Sequence, residues 1–116
     1  MNLKTAITPV LLAALAPGLQ AQDVSTGTDL GPITFAPRGG PPMTFGMLAD
    51  TCVSLYVPQD VSYIAINPDI PAFETVQCTI YSATQCQGDE YTLGAGSRSF
   101  SRPFIAGSFK CTIPAN

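Results

Sequence analysis

The chain has 116 residues, four of them cysteine, no histidine and a formal net charge of −3. That length allows one domain, and the acidic balance excludes the basic face that neutralises nucleic-acid phosphates. It also argues against a Lys/Arg-rich helix acting on anionic membranes.

Residues 1–21 begin with one positive charge, Lys4, followed by an apolar run over 6–16, the breakers Pro17 and Gly18, and Ala21. A short basic end, a hydrophobic stretch and a small residue at the cut are the pattern of a signal peptide. The run is shorter than the roughly 20 apolar residues a spanning helix needs, and Pro9 and Pro17 spoil a long helix. Cleavage after Ala21 is expected to release about 95 residues from Gln22. Loss of Lys4 leaves Arg38, Arg98, Arg102 and Lys110 against eight acidic residues, a charge of −4. No Asn-x-Ser/Thr acceptor is present.

Residues 22–31 are rich in Ser, Thr, Asp and Gly and read as a disordered leader. Beyond them, short β-prone stretches alternate with Pro and Gly: 33–36, 43–48, 52–57, 61–66, 76–82, 90–93, 97–101 and 106–113. No window sustains a helical period, and eight short strands in a small chain predict an all-β sandwich or barrel. The cysteines are Cys52, Cys78, Cys86 and Cys111. An even count behind a secretory signal reads as a disulfide framework, for which the sequence allows three pairings. A metal site is the weaker reading, because histidine and C-x2-C pairs are both missing.

Sliding the chain by 46 residues places 33–66 on 79–112 without a gap. Phe35 then falls on Tyr81, Phe45 on Tyr91, Tyr63 on Phe109, Met47 on Leu93, Ala49 on Ala95 and Ser62 on Ser108. With aromatics at 9% of residues, three aromatic matches point to an internal repeat. Each unit is four strands long, the size of a Greek key, and two of them stack into a sandwich.

The second unit carries Tyr81, Cys86 and Gly88 in the Tyr-x4-(bulky)-x-Gly spacing, followed by Ser108. In this it resembles a βγ-crystallin motif. In that motif the first hairpin folds over its own sheet, the glycine takes positive φ, and the serine hydroxyl holds the hairpin down. With Phe35 and Ser62 placed likewise, residues 32–116 are similar to a two-motif βγ-crystallin-like domain, with motif 1 at about 32–67 and motif 2 at about 76–114. The first motif departs from the pattern, since Pro42 stands where Gly88 does and proline cannot adopt positive φ. Gly39 and Gly40 are the substitutes there.

The similarity is greatest to cysteine-stabilised secreted members: plant antimicrobial proteins, yeast killer toxins and fungal secreted proteins. The resemblance implies neighbouring first and fourth strands, hence a Cys78–Cys111 bridge, leaving Cys52–Cys86 to join the two units. It also raises calcium, which such domains bind through acidic or amide residues before the late serine. Only Asp60 and the Gln59 amide stand there in unit 1 and nothing does in unit 2, so Asp60 reads as a turn residue. No metal and no cofactor are expected.

Catalysis has little to draw on. Without histidine, Ser–His and Cys–His arrangements are impossible, and oxidised cysteines offer no thiolate. Asp89 and Glu90 are neighbours whose side chains point to opposite faces of a strand, while Asp50, Asp69 and Glu74 are isolated. Arg98 and Arg102 alternate with Phe100 and Phe104, with Lys110 nearby, and form a candidate patch for a carbohydrate or acidic partner. The expectation is a secreted, monomeric, non-enzymatic interaction protein, effector-like or toxin-like, with an extracellular protein or carbohydrate as partner. The alternative is a structural or stress-tolerance protein outside the cell.

Overall fold

The structure is a computed structural model that describes residues 24–114. The segment expected as a signal peptide, 1–21, lies outside the described residues. Six strands follow in order: β1 (Asp29–Pro37), β2 (Met43–Leu48), β3 (Cys52–Ile66), β4 (Gln77–Ala83), β5 (Gln87–Gly94) and β6 (Gly96–Thr112). A 3-10 turn at Pro71–Phe73 lies between β3 and β4. All strand pairs are antiparallel, in the order β2-β1-β3-β6-β4-β5.

Period-two burial explains the strands. Along β1, Ile33 and Phe35 are buried and Thr34 and Ala36 are not, as a half-buried pleated surface requires. β3 and β6 are long because each serves two layers. The N-terminal arm of β3 (Cys52, Val53, Ser54) pairs with the C-terminal arm of β6 (Lys110, Phe109, Ser108). The C-terminal arm of β3, from Tyr63 to Ile66, pairs with the N-terminal arm of β6, from Ser99 back to Gly96. One layer is therefore β2-β1 with one pair of arms, and the other is β4-β5 with the opposite pair. Phe35 of β1 and Phe109 of β6 meet between them at 5.5 Å, and the Met47 sulfur lies 3.5 Å from that of Cys78. The result is an all-β sandwich held by two disulfides, Cys52–Cys86 and Cys78–Cys111.

Two of the sequence expectations about extent are corrected. The eight expected strands are six, since 52–57 runs into 61–66 and 97–101 into 106–113. Pro58 and Pro103 read as breakers, but proline is tolerated where a ladder is interrupted, and the β3–β6 register shifts at both places. The expected disordered leader, 22–31, is also corrected over its described residues, 24–31. β1 begins at Asp29 and Leu30 is fully buried in the core, while the Gly27 and Ala49 amides donate to the carbonyls of Ala49 and Thr28. Two apolar side chains, Leu30 in the core and Val24 against it, dock this polar segment together with those backbone bonds.

The two halves do repeat, with a different offset from the gapless 46. Ile33 pairs with Ile66 as Cys78 pairs with Cys111, an offset of 45. Ile33 faces Phe45 as Cys78 faces Leu93, so β2 maps to β5 with an offset of 48. The hydroxyl pairs Thr34–Thr44 and Thr79–Thr92, each at 3.0 Å, mark the same equivalence. The second hairpin is thus three residues longer. A single alignment cannot accommodate both offsets, and a slip of one residue exchanges the two faces of a strand. Phe35 therefore corresponds to Ile80, not Tyr81, and is a fully buried core residue. Tyr63, not Ser62, occupies the place of Ser108. Among the described residues no side-chain hydrogen bond ties Ser62 to the first hairpin.

Candidate functional site

The β4–β5 hairpin is bent back onto β6 and fixed from several sides. Gln85 and Cys86 adopt left-handed backbone angles, φ 61° and 54°, at about 1–2 kcal/mol each for non-glycine residues. Their conformation is held by three kinds of contact. The Cys52–Cys86 bridge joins the turn to β3. The Gln85 amide donates to Ser54 Oγ at 2.9 Å and the Cys86 amide to Ser108 Oγ at 2.8 Å. The Ser108 hydroxyl in turn donates to the Ala83 carbonyl at 2.6 Å, and Ser108 itself is fully buried. Gly107 permits the approach, because a Cβ there would sit 2.5 Å from the Ala83 carbonyl carbon. Gly88, at φ +94°, continues the turn, and a Cβ on it would collide with the Ser82 hydroxyl. That hydroxyl accepts the Asp89 amide at 2.8 Å.

Beside this hairpin lies an open groove of about 390 Å³. Its walls come from β4, β5 and β6. Between the pairs Val61–Phe104 and Tyr63–Ser99, one β3 residue faces four on β6, so the chain from Phe100 to Pro103 bulges outward. Phe100 and Phe104 stand at its ends with ring centroids 4.8 Å apart and nearly perpendicular. Tyr91 on β5 joins them at 5.9 and 5.4 Å. Phe100 and Phe104 pack against the core, whereas Tyr91 is 48% exposed. Asp89, Glu90 and Arg102 also line the groove.

The first half provides an internal control. At offset 45 the counterparts of Phe100, Arg102 and Phe104 are Leu55, Val57 and Gln59, and at offset 48 that of Tyr91 is Met43. Leu55 is only 3% exposed and belongs to the core. The architecture therefore closes with an aliphatic side chain at this place in one half. The aromatic walls of the other half are not a demand of the fold.

The expected patch is reached in part. Phe100, Arg102 and Phe104 line the groove, and Arg98 does not. Arg98 pairs with Ile64 on the far side of the register break, which ends the alternation linking it to Phe100. Lys110 is exposed on the other arm, between Cys52 and Thr79. Asp89 and Glu90 are neighbours on edge strand β5 and both line the groove. Tyr91 was singled out only as a repeat match, and its partnership with Phe100 and Phe104 depends on strand pairing that spacing does not reveal. Asp60 pairs with Ile105 and is exposed. Among the described residues no three His, Cys, Asp or Glu side chains converge as metal ligands.

The groove is a partly apolar recess with both signs of charge among its lining residues. Recognition requires such a surface, an apolar body with a few polar groups to set orientation. No family model matches the chain, and neither does any curated protein or solved structure.

Proposed function

We propose that the chain is exported and acts outside the cell as a non-enzymatic interaction protein of βγ-crystallin-like type, effector-like or toxin-like in its use. The observation that carries this reading is the aromatic groove at Tyr91, Phe100 and Phe104, which the corresponding place in the first half lacks. The two disulfides support export, because such bonds persist in oxidising compartments. No helix among the described residues is long and apolar enough to cross a membrane. The hairpin tied down by Ser108 supports the likeness to the crystallin motif.

The test is the oxidised protein, cleaved after Ala21, added to bacteria, yeast cells and plant tissue. Inhibited growth or a tissue response in at least one of the three is expected, with the effect lost after reduction and alkylation. No response in any of them would replace this reading with a structural or stress-tolerance role.

A further inference from the structure

The groove between β4–β5 and the bulge of β6 also limits what its ligand can be. Its rim carries Asp89 and Glu90 on one strand and Arg102 on another. A polyanion would meet carboxylate on the acidic strand, and a polycation would meet the guanidinium. Hydroxyl groups satisfy both, since each donates to a carboxylate and accepts from a guanidinium. The apolar part of the recess is ring edge and ring face, supplied by Tyr91, Phe100 and Phe104. Tyr91 is half exposed, so a flat ligand gains contact area against it with little reorganisation. The recess, at about 390 Å³, lies at the small end of ligand clefts of roughly 300–1,000 Å³.

We infer that this groove is a binding site for a short stretch of neutral oligosaccharide, one sugar ring lying on Tyr91 while its hydroxyls bridge Asp89 or Glu90 to Arg102. A sugar ring has an apolar face of C–H groups and a rim of hydroxyls, which complements the groove's aromatic wall and its two signs of charge. The anchoring of the hairpin matters here. The Asp89 amide is bound to Ser82, and the turn is held by Ser108 and the Cys52–Cys86 bridge, so β5 is fixed before the ligand arrives and less order is lost on binding. The inference deepens the interaction-protein reading and rests on it for biological meaning, but the binding itself is measurable on its own.

The oxidised protein is titrated calorimetrically with chitotetraose, laminarihexaose, cellohexaose and mannotriose. Tetragalacturonate and a chitosan tetramer serve as anionic and cationic counterparts, and a neutral hexapeptide as a non-sugar. At least one neutral sugar is expected to bind more tightly than all three comparison ligands, with amide shifts centred on Tyr91, Phe100 and Phe104. Tyr91→Ala should weaken that binding by roughly tenfold or more, and Arg102→Gln by about threefold. Arg102 is exposed, so Arg102→Gln should melt within about 3 °C of the parent. Tyr91→Ala also loses its ring contacts with Phe100 and Phe104 and should melt several degrees lower. If one variant fails to fold, the other still decides. Failure of every neutral sugar at about 5 mM, tighter binding of a charged oligomer or the peptide, or shifts confined to another face would overturn the inference. Sugar binding with no effect on any organism would leave it standing while removing the toxin-like reading.

Discussion

Replacing both Cys78 and Cys111 with alanine is expected to cost about 4 kcal/mol or more of folding stability. Two effects add. The bridge closes a loop of 33 residues, and the chain-entropy relation gives about 3.5–4 kcal/mol for a loop of that size. Both cysteines are also fully buried in the core, where Cys78 touches Met47. Removing their sulfurs leaves space that close-packed neighbours fill only in part. Domains of this size have about 5–15 kcal/mol of stability in all, so the variant should melt roughly 15 °C lower or not fold at physiological temperature. Urea unfolding measures the loss, and a change below about 1 kcal/mol would refute the account of the core.

Ser108→Ala should be the second large effect, about 2–4 kcal/mol, although it deletes a single oxygen. The hydroxyl accepts from the Cys86 amide and donates to the Ala83 carbonyl. Alanine leaves both groups short of a partner at a fully buried position, and each unsatisfied buried group costs about 1–3 kcal/mol. Ser62→Ala is the matched control. Ser62 lies one place from the true counterpart of Ser108 and ties down no hairpin, so a change within about 0.5 kcal/mol is expected. Equal effects at the two serines in chemical denaturation would contradict the 45-residue offset as well as the tie.

These two serines also show where the sequence was readable. The resemblance to the βγ-crystallin motif picks out Gly88 and Ser108, the glycine that takes positive φ in the folded hairpin and the hydroxyl that receives it. Both sit at the turn, Gly88 at φ +94° and Ser108 beneath it. Comparison between units fails by one residue at Phe35 and Ser62, because β2 and β5 are offset by 48 while the other strands are offset by 45. Alternation yields β2 with its observed limits, Met43–Leu48, since nothing interrupts its pattern. It splits β3 and β6 at Pro58 and Pro103, because a proline in a bulge and a proline ending a strand look alike in one dimension.

The groove is a similar case. Phe100, Arg102 and Phe104 alternate along one strand and are visible as a group. Arg98 looks like a fourth member until the register break separates it from them. Tyr91 is distant in sequence and arrives only when β5 pairs with β4 and the hairpin bends toward β6. Wherever a property belongs to one strand, its residues disclose it. Where two strands must meet, the disclosing quantity is register, and no single-strand pattern contains it.

The bent hairpin, the fixed wall of the groove and the proposal of export all depend on which cysteines are joined. Proteolysis of the exported protein without reduction, followed by mass spectrometry of the linked peptides, reads this directly. The expected result is full occupancy of Cys52–Cys86 and Cys78–Cys111. Recovery of Cys78 joined to Cys86, or of four free thiols, would contradict it.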